Sequence, residues 1–310
     1  MRLGVLDVGS NTVHLLVVDA HRGAHPTPMH SDKAELRLAE AITKDGALTR
    51  DGERRLVDAV AHARQVAVEQ SCDDVLSFAT SAVRDATNSK DVLERVKSES
   101  GVDLQVLSGP DEARLTFLAV RRWYGWSAGR LLALDIGGGS FEIGLGRDEN
   151  PDLAFSVPLG AGRLTREWFT SEPPSKREVE ELRDYVDAAF KEFVPQLLEG
   201  GTPDHIAATS KTFRSLARLT GAAPSSDGPR VHRALTISGL RQVIKFISRM
   251  ASEDIATLEG VSPTRAHQLL AGAIVAETAM RQLACESLEI CPWALREGVI
   301  LRRLDWLEGM

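Results

Sequence analysis

Apolar residues first occur in short runs that end at turn residues, a pattern typical of buried strands. Leu3–Asp7 and Val13–Asp19 are two such runs, and the Gly-Ser-Asn stretch between them favours a tight connection. A third strand is expected within Met29–Ala39. From Thr49 onward the apolar residues recur at helical spacing instead. The chain is therefore predicted to begin with three strands followed by a helix.

Strands and helices then alternate. The sequence predicts strands at Val75–Ala79 and Leu104–Leu107, and helices at Asn88–Ser98 and Asp111–Tyr124. This order favours a mixed sheet with helices on its faces.

The opening pattern restarts near the middle of the chain. Leu131–Ile136, a glycine turn and Phe141–Leu145 repeat it, and a strand at Ala154–Pro158 follows. Further predicted elements are a strand at His205–Thr209 and helices at Ser175–Glu199, Lys211–Leu219, Ser238–Ser252, Ser262–Leu283 and Trp293–Leu307. Such repetition predicts two similar halves that face each other across a cleft. We expect one domain from residues 1–125, joined by the terminal helix of residues 294–310, and a second from residues 126–293.

Composition supports this organisation and narrows the function. A chain of 310 residues, 43% hydrophobic and 26% charged, has the length for two globular domains. A net charge of −7 argues against nucleic-acid binding, although a local basic cleft could still hold a polyanion. We expect no membrane segment, and the scattered Cys72, Cys285 and Cys291 indicate buried thiols in a cytoplasmic protein.

The two glycine turns carry the first candidate chemistry. Asp7 and Asp135 each stand at the end of an apolar strand, with a glycine two residues later. The backbone N–H groups of such a turn form a concave donor array suited to phosphate oxygens. The candidate phosphate-binding residues are Gly9, Ser10, Asn11, Thr12, Gly137, Gly138, Gly139 and Ser140. Neither turn has a P-loop or dinucleotide-binding fingerprint.

Five motifs occur in order along nearly the whole chain. They are Asp7-Val8-Gly9-Ser10-Asn11-Thr12, Thr80-Ser81-Ala82-Val83-Arg84, Ser108-Gly109-Pro110-Asp111-Glu112-Ala113-Arg114-Leu115, Asp135-Ile136-Gly137-Gly138-Gly139-Ser140-Phe141-Glu142 and Ala294-Leu295-Arg296-Glu297-Gly298. Together they resemble the exopolyphosphatase / pppGpp phosphatase family of the sugar kinase–Hsp70–actin superfamily. The resemblance implies a duplicated α/β fold of the actin-like, ribonuclease H-like type, with Mg²⁺ (or Mn²⁺) dependence and a homodimer.

Two residues are candidates for catalysis. The resemblance implies that Glu112 is the general base that orients and deprotonates a water, and that Arg84 holds the scissile phosphate. A carboxylate suits the first task, and a bidentate guanidinium that keeps its charge suits the second. Glu112 could instead be an ordinary first-turn glutamate favoured by the helix dipole, and Arg84 a surface arginine paired with Asp85.

Further residues are candidates for metal and phosphate binding. Asp135, Glu142 and Asp7 are candidates for the Mg²⁺ sphere, since alternation puts Glu142 on the same strand face as Ser140. Ser210 lies in the turn before the predicted helix that begins at Lys211, and the N-terminus of this helix is a candidate phosphate site. The helix carries a basic face, which could instead be a solvated surface; its residues are Lys211, Arg214 and Arg218.

These features predict an exopolyphosphatase that releases orthophosphate from the end of inorganic polyphosphate. A pppGpp 5′-phosphohydrolase would need the same catalytic residues, and (p)ppGpp is also a candidate inhibitor. An ATP-dependent kinase or ATPase of the same superfamily stays open as well, as does a non-catalytic polyphosphate or alarmone sensor. Many relatives carry a further C-terminal domain, so we expect this chain to prefer short polyphosphates.

Overall fold

The computed structural model describes residues 1–21, 23 and 25–306. The strands are β1 Arg2–Val8, β2 Thr12–Asp19, β3 Pro28–Glu35, β4 Asp74–Ala79, β5 Gln105–Val106, β6 Leu131–Ile136, β7 Phe141–Gly146, β8 Leu153–Val157, β9 His205–Thr209, β10 Ala234–Thr236 and β11 Ser287–Ile290. The helices are α1 Arg50–Glu69, α2 Ser81–Arg84, α3 Ser89–Ser100, α4 Gly109–Tyr124, α5 Ala161–Trp168, α6 Lys176–Leu198, α7 Ser210–Leu219, α8 Ile237–Ile247, α9 Ser252–Ala256, α10 Leu269–Gln282 and α11 Leu295–Trp306. The predicted end of the last helix, residues 307–310, lies outside the described residues.

The strands form two sheets with the same topology. The first has the order β3-β2-β1-β4-β5, and the second has the order β8-β7-β6-β9-β11 with β10 added at its edge. In each sheet the first three strands pair antiparallel, and the next two run parallel to the central strand. The predicted duplicated α/β fold is confirmed.

Both faces of the first sheet are buried, which explains its nearly continuous apolar strands. Along β1, Leu6 and Val8 face the core beneath α1 and α3, whereas Leu3 and Val5 face the opposite side. A strand covered on both faces has no solvent side, so its sequence loses the polar alternation of an exposed strand.

Helices α4 and α11 cover the sheet of the other half of the chain. Helix α4 follows the first sheet, yet Phe117 and Val120 pack against Leu131 of the second. Helix α11 follows the second sheet, yet Ile300 packs against Leu3 of the first. The two helices therefore lie between the sheets, and both begin at the cleft.

The two helices cross at a glycine. A Cβ atom added to Gly298 would lie 1.9 Å from the carbonyl oxygen of Leu115. Only a residue without a side chain permits this backbone-to-backbone contact. The Gly298 position therefore sets the distance between α4 and α11.

Several elements differ from those that the sequence predicts. Helix α5 and the short strands β10 and β11 lie outside the predicted elements; in the strands, three or four residues carry little periodic signal. The predicted helix at Ser262–Leu283 is divided into a 3₁₀ segment, Pro263–Gln268, and α10. No helix in the described part of the chain is long and apolar enough to cross a bilayer.

Gly298→Ala is expected to destabilise the protein by about 3 kcal/mol or more, although alanine is the better helix former. The reason is that the Leu115 carbonyl belongs to the backbone and cannot rotate away from the new methyl group. Chemical or thermal unfolding measures the loss. Arg303→Ala, on the same helix, breaks only a partly exposed ion pair with Asp74 and should cost less than about 1 kcal/mol. Equal losses in the two variants would contradict the role of Gly298.

Candidate functional site

The two glycine turns have the same internal geometry and touch each other. In the β1–β2 turn the Gly9 N–H donates to the Thr12 carbonyl at 2.9 Å, and in the β6–β7 turn the Gly137 N–H donates to the Ser140 carbonyl at 2.9 Å. A Cβ atom on Gly138 would lie 2.8 Å from that of Ser10. The turns therefore face each other across the cleft at near-contact distance.

A cavity of about 390 Å³ lies against the two turns. The predicted residues that line it are Asp7, Gly9, Ser10, Asn11, Thr12, Glu112, Asp135, Gly137, Gly138, Ser140, Glu142, Ser210 and Lys211. Gly139 and Arg84 lie just outside this cavity and line neighbouring ones. The structure thus brings together side chains that are up to about two hundred residues apart in sequence, because both halves of the fold contribute one turn.

Helix α4 directs Glu112 into the cavity. The Ser108 hydroxyl accepts a hydrogen bond from the Asp111 N–H at 3.2 Å, and Pro110 stands in the first turn, so the helix start is fixed. Glu112 is only 5% exposed. Burial raises the pKa of Glu112, and the negative charge of Glu142 raises it further, whereas Arg84 opposes both.

Arg84 is held by three acceptors at the end of α2. Its Nη1 donates to the Glu112 carboxylate and to the Leu107 carbonyl, the latter at 3.1 Å. Its Nε donates to Asp85 at 3.0 Å. Nη2 has no hydrogen-bond partner among the described residues. Arg84 therefore contacts the candidate base and keeps one donor group for a ligand.

Asp135 and Glu142 are the pair best suited to a divalent cation. They are opposite each other on β6 and β7. Burial raises the pKa of Asp135 to about 6, and burial together with the Asp135 charge raises the pKa of Glu142. Such unbalanced negative charge fits a cation. No group of three His, Cys, Asp or Glu side chains in the described chain could hold a metal alone, so water or phosphate oxygens would complete the shell, as is usual for Mg²⁺.

Asp7 differs from Asp135 despite their equivalent positions. Its carboxylate accepts a hydrogen bond from Arg296 at 3.3 Å, and its partner across the β1–β2 pair is His14 instead of a glutamate. Burial lowers the pKa of His14 to about 3, so this imidazole is neutral. The aspartate of the first turn is therefore paired with an arginine, whereas the aspartate of the second turn lies opposite another carboxylate.

Five cationic side chains surround the same cavity. They are Lys33, Lys211, Arg214, Arg265 and Arg296. Partial desolvation at the rim of the cleft lowers the pKa of Lys211, and the charges of Arg214 and Arg265 lower it further. Burial also lowers the pKa of those two arginines. Basic side chains that repel one another within a cleft favour the binding of a polyanion.

Three of these cations, Lys33, Arg265 and Arg296, are not among the candidates that the sequence provides. Arg296 nonetheless belongs to a family motif. Ala-Thr-Ser occurs at residues 79–81 and again at residues 208–210, which shows that α2 and α7 are equivalent. In this alignment Phe213 takes the place of Arg84, and Arg214 lies one residue further along. Lys33 and Arg265 carry no comparable signal.

Comparison with known proteins agrees with the motifs. The Ppx/GppA phosphatase family model matches residues 17–306. The chain belongs to this family. Exopolyphosphatase 1 of Mycobacterium tuberculosis is 64% identical over 305 residues, covering 98% of this chain and 89% of that protein, and Exopolyphosphatase 1 of Mycobacterium leprae is 62% identical, covering 98% and 90%. The crystal structure of an exopolyphosphatase from Cytophaga hutchinsonii shares the fold, with a TM-score of 0.89 at 23% identity over 99% of this chain and 98% of that one.

Within this Ppx/GppA phosphatase, the basic face of α7 is only partly directed at the cleft. Lys211 and Arg214 line the cavity, whereas Arg218 pairs with Glu259 and donates to the Ala222 carbonyl at 3.1 Å. The helical spacing places all three on one face, but the side chain of Arg218 lies a further turn away, where it stabilises a loop. Arg218 therefore shares the helical face with the first two but does not line the cavity.

Ser210 begins α7 in a conformation that favours glycine. Its φ angle is 89°, within the left-handed region that L-residues rarely adopt. Its hydroxyl accepts a hydrogen bond from the Phe213 N–H at 3.3 Å, which partly offsets the strain. Strain at the edge of a ligand cavity is consistent with a binding role for this turn.

Glu142→Gln is expected to raise the thermal stability of the phosphatase in buffer that contains a chelator. The raised pKa of Glu142 means that its contribution to stability is present at low pH and is lost as the pH rises through that pKa. The variant cannot ionise, so its melting temperature should exceed that of the wild type by about 2–6 °C at about pH 9, with a smaller difference at about pH 5.

Glu149→Gln is the matched control. Arg122 lowers the pKa of Glu149, so this substitution should reduce stability at neutral pH. The difference in melting temperature between Glu142→Gln and the wild type should grow with pH. A difference that stays constant would contradict the conclusion that the ionised Glu142 carboxylate destabilises the protein.

Proposed function

We propose that this phosphatase is an exopolyphosphatase, which hydrolyses the terminal phosphoanhydride of inorganic polyphosphate and releases orthophosphate. The observation that carries the proposal is a buried Glu112 paired with Arg84, where Glu112 lines a cavity that five cationic side chains also line. The mycobacterial relatives at 62–64% identity, which bear the name Exopolyphosphatase 1, support it.

The two turns are proposed to hold the terminal phosphate. The Gly9 and Gly137 N–H groups are used within their own turns, so the donors that remain for a ligand are the N–H groups of the central turn residues and the side-chain amide of Asn11. The Ser10 hydroxyl already contacts that of Ser81 at 3.2 Å. Arg84 Nη2 would add a donor with a permanent charge. These groups bind phosphate oxygens without contacting the rest of the ligand.

Glu112 is proposed to orient the attacking water and accept its proton. Its position in the first turn of α4, on the cavity that both turns also line, supports this role. The base must be ionised to act, and both Arg84 and a bound cation favour the ionised form. A raised pKa also makes the carboxylate a stronger base once it is ionised.

The cationic residues are proposed to hold the next phosphates of the chain. Lys33 and Lys211 are exposed at the rim, whereas Arg214, Arg265 and Arg296 are partly buried. Several cations around one cavity suit a polymer in which every unit carries the same charge.

A divalent cation is proposed to bind between Asp135, Glu142 and the phosphate oxygens. When bound, it would neutralise charge on those oxygens. Mg²⁺ is preferred because its usual shell combines one or two carboxylates with phosphates and water, and Mn²⁺ has similar ligands.

The family resemblance also leads us to propose that the protein is a cytoplasmic homodimer and that it binds (p)ppGpp. The free thiols Cys72, Cys285 and Cys291 agree with a reducing compartment.

Glu112→Gln is expected to lower kcat at least about 10³-fold while leaving the Kd for polyphosphate nearly unchanged, because the amide keeps the shape but accepts no proton. Phosphate release with Mg²⁺ should be measured in parallel on short polyphosphate, long polyphosphate, pppGpp and ATP.

Asp111→Asn, one residue earlier on the exposed side of the same helix turn, is the control and should retain activity. An active Gln variant would exclude Glu112 as the base. Turnover of pppGpp or ATP in preference to polyphosphate would assign the same site to a different substrate.

Short polyphosphates are expected to have the higher kcat/KM. The cavity holds five cations within about 390 Å³, so phosphates beyond the first few gain no further partner there. The measurement is kcat/KM against chain length, together with the distribution of intermediate lengths during digestion. A kcat/KM that is equal or higher for chains of hundreds of phosphates would refute this expectation.

A further inference from the structure

A chain of ion pairs crosses the cleft just outside the candidate active site. Asp85 follows Arg84 and accepts a hydrogen bond from its Nε at 3.0 Å. The second carboxylate oxygen of Asp85 accepts a hydrogen bond from Nη2 of Arg163 at 2.5 Å. Arg163 belongs to α5, in the second half of the chain, so one carboxylate connects arginines from both sides of the cleft.

Arg163 is also fixed to the second glycine turn. Its Nε donates to the Gly139 carbonyl at 2.9 Å, and its backbone N–H donates to the Gly138 carbonyl at 2.9 Å. The position of this arginine is therefore set by the turn itself. A continuous series of contacts then runs from Glu112 through Arg84, Asp85 and Arg163 to the turn.

We propose that Asp85 and Arg163 are positioning residues, forming a latch across the cleft that holds Arg84 and the second turn in the arrangement needed for catalysis. The proposal rests on the role of Arg84 proposed above. It assigns Asp85 and Arg163 no direct contact with the substrate.

The physical reason is the freedom of an arginine side chain. Arg84 has several rotatable bonds, and its Nη1 contacts alone leave the guanidinium plane free to tilt. Asp85 holds Nε and thereby fixes that plane, which decides where Nη2 points. Because Arg163 ties the same carboxylate to the second turn, closing the cleft and orienting Arg84 become one event. A misplacement of about 1 Å in such a group can lower the rate about 100-fold.

The charge of Asp85 makes the proposal testable. A carboxylate next to a site for a polyanion should weaken binding, so a purely electrostatic role predicts that its removal improves the enzyme. A purely structural role predicts a loss of stability, yet both ion pairs are partly exposed, with side-chain exposures of 19% and 24% for the arginines and 37% for Asp85, and such pairs stabilise little. A latch predicts a third outcome, in which kcat falls while KM stays equal or falls.

The experiment measures kcat and KM for phosphate release from short polyphosphate with Mg²⁺, along with the melting temperature, in Asp85→Asn, Arg163→Gln and the double variant. We expect each single change to lower kcat about 10- to 100-fold without raising KM. The double variant should lose no more than the worse single one, because both changes break the same chain. Additive losses would overturn the proposal.

Two further variants separate the possible failures. In an Arg84→Lys background, which lacks the bidentate fork, Asp85→Asn should have little additional effect. If Arg84→Lys retains full activity, the proposed role of Arg84 fails; if it loses activity and Asp85→Asn does not, only the latch fails.

Arg166→Gln is the matched control for cleft closure. Arg166 also lies on α5 and donates across the cleft, to the Ala39 carbonyl at 2.8 Å, but it does not contact Asp85 or Arg84. It should keep kcat within about twofold of the wild type. A loss equal to that of Arg163→Gln would show that any interdomain contact has this effect and would overturn the specific role of the latch.

Discussion

The crossing of α4 and α11 at Gly298 is the contact on which the geometry of the cleft depends. Both helices begin at the cleft, and each contributes a charged side chain from its first turn, Glu112 from α4 and Arg296 from α11. Because the backbones touch near Leu115, a change in their separation would move the candidate base relative to Asp7, which Arg296 holds. Gly298 thus fixes the position of Glu112, from the first half of the chain, relative to Arg296, from the second.

The charges in the cleft are arranged for a ligand and not for the stability of the free protein. Carboxylates whose pKa values are raised face one another around the second turn, and cations whose pKa values are lowered face one another beyond it. Each set repels itself, and a polyanion together with a divalent cation would relieve both. Functional sites often carry such a cost, which the cores of the two sheets offset.

The sequence predicts the parts of the fold that repeat a pattern over enough residues. The strands around Asp7 and Asp135 are recognisable because each precedes a glycine turn in the same context, and this duplication leads to the correct fold class. Strands β10 and β11 escape prediction because they are too short to show alternation.

Most of the candidate site is predictable because its residues belong to a motif or lie at the start of a predicted helix, whereas residues that only tertiary packing brings to the cavity are not predictable. Lys33 lies on an edge strand and Arg265 in a 3₁₀ segment, and both reach the cavity only through the packing of the two halves. Arg218 shows the opposite case, in which helical spacing is right but a neighbouring loop decides the environment of the side chain. Local periodicity specifies a face, whereas tertiary contacts decide what that face meets.

The exchange of α4 and α11 between the halves also has a consequence for synthesis on the ribosome. The side of the first sheet formed by Leu3 and Val5 is covered by Ile300, which is translated almost three hundred residues later. That apolar surface therefore stays open while the second half is being made. The N-terminal sheet can complete its core only after nearly the whole chain has emerged, so this stretch is where we expect chaperones to bind the nascent protein.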